Sequence, residues 1–304
     1  MSFEQVCLLA EENGCKVQYD KPLSEYTTFR IGGKCSAVIE INSTQSLSKL
    51  IKYCNVNKIR YLVVGKGSNM LCDDKGFDGV VLHFGSDFSE ISINENGEIE
   101  VQSGCSLMKL CRFALDNSLA GLEFAYGIPG TVGGAIFMNA GAYGGEIKNV
   151  LVSAECADPC GDIHTLSVSE LDLSYRHSIF HENSCVITKG VFRLEKGEKK
   201  DIKAKMDDLM SRRKEKQPLE YPNAGSTFKR PVGQFAGKLI QDCGLKGYSV
   251  GGAMVSEKHG GFVINYDNAT GEDVRNLIKH VQDTVLEKTG YFLECEVKII
   301  PFSE

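Results

Sequence analysis

The sequence predicts an α+β protein of several units, on three observations. Between residues 37 and 84, β-branched runs flank a segment of helical spacing, with glycines at the transitions. That pattern fits strand–helix–strand folding better than an all-β sandwich. Residues 197–217 are strongly charged and carry an apolar stripe at Ile202, Met206, Leu209 and Met210, as a solvated helix connecting domains would. Finally, 304 residues are enough for two or three domains, each with its own core.

In chain order, the residues up to about Asp20 read as a short helix with Phe3, Val6, Cys7, Leu9 and Ala10 on its apolar face. Ala37–Ile41 is a strand and Leu47–Asn55 a helix. Tyr61–Val64 and Gly79–Phe84 are short buried-type strands. From Ile91 to about Leu194 short strands predominate, interrupted by the glycine-rich stretch Gly121–Gly145. A last unit starts near Pro218, with helices at Phe235–Cys243 and Asp273–Thr289 and strands at Phe262–Asn265 and Phe292–Ile300. No internal repeat or low-complexity tract is present.

Composition narrows the class. An apolar fraction of 42% and a charged fraction of 24% are those of an ordinary globular protein. A net charge of -6 argues against nucleic acid as a partner, since that would call for a basic excess. Twelve cysteines are scattered from Cys7 to Cys295 without a Cys-x-x-Cys pair, so they read as reduced thiols serving as small apolar residues. Cys156 with Cys160, or Cys105 with Cys111, could be neighbours, but six dispersed histidines complete no ligand cluster and no metal is expected. Met1-Ser2-Phe3-Glu4 lacks the basic and apolar regions of a signal peptide, and no apolar run is long enough to span a membrane. The expected location is the cytoplasm, with no membrane insertion and no obligate protein partner.

Two glycine loops carry the first chemical signal. Gly65-Lys66-Gly67-Ser68-Asn69 directly follows the strand Tyr61–Val64; bare N–H groups and short polar side chains there suit phosphate oxygens, though such loops also serve as plain strand-ending turns. The second runs Gly127-Ile128-Pro129-Gly130-Thr131-Val132-Gly133-Gly134-Ala135 and continues through Asn139 to Gly145. Pro129 fixes φ ahead of a helix start at Thr131, whose orphan N–H groups would be presented to an anion; a tight packing corner is the alternative. Tyr26-Thr27-Thr28-Phe29-Arg30-Ile31-Gly32-Gly33 adds hydroxyls and a guanidinium. Neither glycine loop is a Walker A motif or a Gly-x-Gly-x-x-Gly turn, which disfavours a Rossmann site.

At this point the residues resemble the UDP-N-acetylenolpyruvoylglucosamine reductase (UDP-N-acetylmuramate dehydrogenase) family of peptidoglycan precursor synthesis, hence of cell wall biogenesis, cell shape and cell division. The resemblance runs through Tyr26–Gly33, Gly65–Asn69, Gly127–Gly145, Ser174–Ser178, Asn223–Pro231, Gly244–Gly247, Ser256–His259 and Leu293–Val297. It implies a two-subdomain FAD-binding region of the vanillyl-alcohol-oxidase (PCMH) type plus a C-terminal α+β substrate domain, with ranges 1–84, 85–200 and 201–304. The short span after Tyr175 is similar to the form lacking a substrate-capping tyrosine loop. Lys66 departs from the pattern, where many relatives carry a further glycine.

The resemblance further implies an NADPH-dependent flavoprotein oxidoreductase that binds FAD non-covalently and takes a UDP-sugar substrate. Hydride would pass from flavin N5 to C3 of the enolpyruvyl ether, and a proton from Ser226 to C2. Arg176 would hold the substrate carboxylate and Glu296 would complete the catalytic set. Tyr26, Thr28, Arg30, Ile31, Gly65, Gly67, Ser68, Asn69, Gly127, Pro129, Gly130, Thr131 and Gly134 would contact the cofactor. Lys216 and Arg230 would meet the substrate phosphates, with Lys229 nearby and Tyr175 lining the pocket. Without the resemblance, Arg176 would read as a surface ion-pair residue and Ser226 as a turn serine. Glu296, in an apolar stretch, needs a partner on any reading. Arg212-Arg213-Lys214 reads equally as a solvated helix face or a flavin or phosphate contact.

Overall fold

The structure, a computed structural model, describes residues 3–303. Met1 and Ser2, part of the predicted N-terminal helix, lie outside the described residues. The chain forms two compact units. The first comprises the segment ending at Tyr19, Ala37–Gly65 and Gly79–Arg212; the second comprises Asp20–Ser36, Lys66–Asp78 and the segment from Arg213 onward. Two stretches of the range 1–84 are therefore built into the same unit as the C-terminal residues.

In the first unit, the helix Phe3–Glu12 ends where Gly14 turns left-handed at φ 74°, a conformation that glycine adopts without steric cost. The predicted continuation to Asp20 is instead the strand Lys16–Tyr19, an edge strand running antiparallel to Cys35–Glu40 with Lys16 opposite Glu40. The sheet order is Lys16–Tyr19, Cys35–Glu40, Phe77–His83, Tyr61–Val64. The helix Thr44–Val56, capped by Ser43 on the Ser46 N–H, buries Leu47, Leu50, Ile51 and Cys54. These elements enclose one apolar cluster, centred on Ile39, Leu47, Ile51, Leu82 and Phe88.

A five-stranded antiparallel sheet forms the rest of this unit, in the order Ile163–Ser167, Leu151–Ala157, Val186–Phe192, Ile99–Gln102, Ile91–Ile93. Against it pack the helices Val132–Phe137 and Leu107–Asp116. The second of these was not foreseen in a region read as strands. Its apolar residues, Leu107, Leu110, Cys111 and Ala114, follow a helical period, and Ser106 accepts the Lys109 N–H as its cap. The charged helix spans Lys199–Lys216, with Ile202 and Met206 buried as the stripe required.

The second unit has the helices Ala236–Asp242 and Gly271–Thr289, a three-stranded sheet, and a parallel pair joining Met70–Cys72 to Lys298–Ile300. Two cap systems fix the start of the long helix. Thr270 and Asp273 form a capping box, and the Asp74 carboxylate accepts the N–H groups of Gly271 (2.6 Å) and Glu272 (3.0 Å). Its buried face, Val274, Leu277, Ile278, Val281 and Val285, stabilises the unit by roughly 1.5–3 kcal/mol per side chain. Phe29, Ile31 and Leu71 belong to the same core. The predicted strand Phe292–Ile300 is reduced to Lys298–Ile300, because Leu293–Val297 meets its neighbour only through an isolated bridge, Phe228 to Cys295. Among the described residues no helix is long and apolar enough to cross a membrane.

Candidate active site

Hydrogen bonds in the second unit gather four stretches that lie far apart in the sequence. Thr28 and Asn223 exchange two bonds: the Thr28 hydroxyl donates to Asn223 O (2.7 Å), and the Asn223 N–H returns to Thr28 O (3.2 Å). The Thr28 N–H donates to Gly67 O (3.3 Å). Asn69 donates its side-chain amide to Glu296 O (3.1 Å) and accepts the Lys298 N–H at its backbone O (2.9 Å). Thr28, the Gly67–Asn69 loop, Asn223 and Glu296 are thus linked in one hydrogen-bonded network.

Thr227 sets the register between Ser226 and Glu296. Its N–H donates to Gly261 O (2.8 Å), its carbonyl accepts the Glu296 N–H (2.8 Å), and its hydroxyl accepts the Val263 N–H (2.9 Å). Lys229 repeats the pairing two residues on, N–H to Glu294 O at 2.8 Å. With Thr227 1% exposed, these bonds are shielded from water, and Ser226 and Glu296 are each one residue or one bond from the same anchor. Gly67 makes the loop's approach possible: at φ 55° a Cβ there would lie 2.2 Å from Tyr26 O. Ile31 is 3% exposed and belongs to the core, so only its backbone can face a ligand. Arg30 is exposed.

The predicted phosphate-reaching residues are more dispersed. Lys216 is exposed in the last turn of its helix. Lys229 is paired with Glu294 at 2.6 Å, and the Arg230 guanidinium lies 4.6 Å from the Phe235 ring centroid. Arg212 pairs with Asp208 (2.9 Å), whereas Arg213 is buried.

In the first unit, Gly65 packs against the second glycine loop, where a Cβ would lie 2.3 Å from Thr131 Oγ1. The His83 ring braces this corner, with Nε2 3.1 Å from Gly65 O and Nδ1 2.7 Å from Glu40 Oε2. Thr131 caps the helix Val132–Phe137 as its position predicts. The expectation that this helix start offers orphan N–H groups to an anion is corrected. Val132 donates to Cys105 O (2.8 Å), Gly133 to Ser103 O (2.9 Å) and Gly134 to Thr131 Oγ1 (3.4 Å). The donors are spent inside the fold because the preceding strand end runs alongside them, so this part of the loop is a packing corner. Gly127, Pro129 and Gly130 sit on the approach to it, with Pro129 exposed.

Arg176 also sits in this unit, in a turn closed by reciprocal bonds between Ser174 and His177, with φ 57°. Its guanidinium lies 5.2 Å from the ring centroid of Tyr175. Glu146, from the end of the glycine loop, has its carboxyl held below the usual range, chiefly by its hydrogen bond to Lys148, with Asn139 and the Arg176 charge adding to the effect. Sequence reasoning missed His83, Asn139, Glu146 and Thr227. Only Asn139 left a trace, as a residue able to adopt positive φ inside the glycine stretch.

All twelve cysteines are free thiols, nine of them buried. Burial pushes Cys35 up to about 11 and Cys54, Cys72 and Cys156 up to about 12, which leaves them inert thiols in the manner of small apolar residues. Among the described residues no cluster of His, Cys, Asp and Glu is arranged to hold a metal ion. A polar cleft of about 400 Å³ on the first unit, lined by Glu100, Glu155 and Lys189 among others, includes none of the predicted site residues.

The residues fit a dinucleotide cofactor. Tyr26, Thr28, Arg30, Ser68 and Asn69 form a set of hydroxyls, an amide and a guanidinium without a carboxylate, the chemistry a diphosphate takes. The glycines at 65 and 67 stand where any side chain would push the loop away from its neighbours.

Comparison with known proteins gives the same answer. Residues 217–300 match the family described as UDP-N-acetylenolpyruvoylglucosamine reductase, C-terminal domain, and residues 35–167 match an FAD binding domain. UDP-N-acetylenolpyruvoylglucosamine reductases from Listeria welshimeri and Clostridium perfringens are each 48% identical, over 93% of this chain and 95% and 93% of their own. The protein of that name from Agathobacter rectalis is 49% identical over 92% of this chain and 93% of its own. The crystal structure of the Thermus caldophilus reductase superposes with a TM-score of 0.81 at 32% identity, covering 94% of this chain and 99% of that one. The α+β fold therefore comprises an FAD binding domain and the C-terminal domain of the reductases, and the chain belongs to the UDP-N-acetylenolpyruvoylglucosamine reductase family of FAD-dependent oxidoreductases.

Proposed function

We propose that this chain reduces UDP-N-acetylenolpyruvoylglucosamine to UDP-N-acetylmuramate in the cytoplasm, with NADPH as hydride donor and non-covalent FAD as carrier. The observation that supports the reading is the bond from the Glu296 N–H to the carbonyl of Thr227, the neighbour of Ser226, together with the Asn69 amide on Glu296 O. Tyr26, Thr28, Arg30, Ser68 and Asn69 would help to hold FAD, which would supply the hydride for C3 of the enol ether.

The chain's own residues deal with the charge that follows. Negative charge grows at C2 and spreads into a carboxylate that already carries one charge, so a fixed cation and a proton source are both required. Arg176 meets the carboxylate with its planar fork, which a lysine lacks. The Ser226 hydroxyl gives its proton to C2; a serine is a weak acid, but the enolate is a strong base and placement offsets the poor acidity. Glu296 orients these partners or shares a proton with the enolate oxygen.

Tyr175 lines the substrate pocket, and Lys216 and Arg230 contact the diphosphate. Lys229 can join them by leaving Glu294, a part-exposed pair whose loss costs roughly 0.2–1 kcal/mol. We retain 1–84, 85–200 and 201–304 as the subdomain ranges of this reading, the first two serving FAD and the third the substrate.

The test separates the two half-reactions. In Ser226→Ala, NADPH should still bleach the flavin at the parental rate, while reoxidation by the enolpyruvyl nucleotide slows by roughly 100-fold or more, the usual contribution of a positioned proton donor. Equal slowing of both halves would remove Ser226 from its role.

A further inference from the structure

Arg176 is a non-glycine residue in left-handed backbone, φ 57°, a conformation that costs about 1–2 kcal/mol unless its surroundings over-determine it. Two buried side-chain bonds do so from either side of the turn. Asn139, 1% exposed, donates from Nδ2 to Ser174 O (2.9 Å), just before Tyr175 and Arg176. Ser178, fully buried, donates from Oγ to Phe137 O (2.6 Å), just after them. Both anchors lead back to the end of the helix Val132–Phe137 and hence to the second glycine loop.

Asn139 is fully committed to this junction. Its Nδ2 also donates to Glu146 Oε2 (3.0 Å), and its Oδ1 accepts the Lys148 N–H (3.0 Å). Lys148 pairs with the same Glu146 oxygen at 3.0 Å. The carboxylate that feels the Arg176 charge is thus itself held by an amide and a lysine. An aspartate at 139 would remove both donors and set a second carboxylate against Glu146.

We propose that Asn139, with Ser178, is a positioning residue that clamps the Ser174–His177 turn to the glycine loop and so sets where the Arg176 guanidinium meets substrate; this rests on the catalytic reading of Arg176 given above. The amide acts through Arg176 and touches no reacting atom.

A double-mutant cycle tests it, using the FAD-loaded full chain with Asn139→Asp, Arg176→Ala and the double variant. Flavin reduction by NADPH and reoxidation by the enolpyruvyl nucleotide are followed separately by absorbance, and the affinity for UDP-N-acetylmuramate is measured by calorimetry. Asn139→Asp should leave flavin reduction near the parental rate, weaken product binding and slow reoxidation about 100-fold, the scale of a misplacement of about 1 Å. The double variant should be no slower than Arg176→Ala alone, since both changes remove one function. Parental reoxidation in Asn139→Asp, or a loss that multiplies with that of Arg176→Ala, overturns the proposal. Parental reoxidation in Arg176→Ala would instead show that the catalytic reading itself has failed, and the proposal with it. Should Asn139→Asp not retain FAD, Ser178→Ala, which removes only the bond to Phe137, takes its place in the cycle with an expected slowing of about tenfold; no slowing, or a loss that multiplies with that of Arg176→Ala, overturns the proposal.

Discussion

Replacing Gly67 by alanine tests whether the first glycine loop is shaped by contact or by composition. Two costs add. An L-residue at φ 55° carries about 1–2 kcal/mol of backbone strain. The new methyl would also lie 2.2 Å from Tyr26 O and 2.8 Å from Thr27 Cα. Both atoms are main chain, so no rotamer change gives relief, and overpacking of this kind costs about 1–3 kcal/mol. Together Gly67→Ala should lose about 2–5 kcal/mol. Gly290 supplies the control: it caps a helix at φ 76° with no atom within 4 Å of an added Cβ, so Gly290→Ala should lose only about 1 kcal/mol. Urea unfolding of both variants measures the difference. Titration of the apoproteins with FAD should show affinity falling at least about tenfold for Gly67→Ala alone, since 1.4 kcal/mol of lost binding is that factor. Equal stability losses in the two variants, with parental FAD affinity in Gly67→Ala, would refute the contact-based reasoning.

Further outcomes follow from single bonds. Thr227→Val keeps the shape but leaves the buried Val263 N–H without its acceptor, for a loss of about 1–3 kcal/mol; flavin reoxidation should slow more than flavin reduction because Ser226 and Glu296 share this anchor. Glu98 accepts Arg193 Nε at 3.0 Å and Nη2 at 2.6 Å, which holds its carboxyl below the ordinary value of 4.5. The unfolded chain therefore takes up that proton first, so the stabilisation is present at neutral pH and is lost as pH falls through the folded-state value. Glu98→Gln should be less stable than the parent at pH 7, with the gap closing below about pH 4.5 as thermal melts are repeated in acid.

Signals between near neighbours were legible in the sequence. The strand Tyr61–Val64 needed only its short apolar run, and the helix read as Leu47–Asn55 and found at Thr44–Val56 only its periodicity; the glycine loops announced themselves by composition. The helix Leu107–Asp116 carried the same kind of signal, but it was read through the strands on either side of it. What stayed hidden depends on residues that meet from afar. The N–H groups of Val132 and Gly133 find carbonyls at Cys105 and Ser103, and no local spacing foretells that an expected anion site is closed. Likewise Thr227 looks like one more polar residue beside Ser226 until Gly261, Val263 and Glu296 are drawn around it. Ser226 and Glu296 themselves were reached through family resemblance, since a turn serine and a glutamate in an apolar stretch carry no distinctive pattern.

The parallel pairing of Met70–Cys72 with Lys298–Ile300 has a consequence for biosynthesis. More than two hundred residues separate the two partners, and at cellular translation speeds the gap lasts on the order of 10–40 s. During that time Phe29, Ile31 and Leu71 have left the ribosome without the C-terminal residues that complete their core. A nascent chain stalled before residue 271 should therefore expose an apolar surface that chaperones recognise, and the risk of aggregation in the cell falls on unfinished molecules rather than on completed ones.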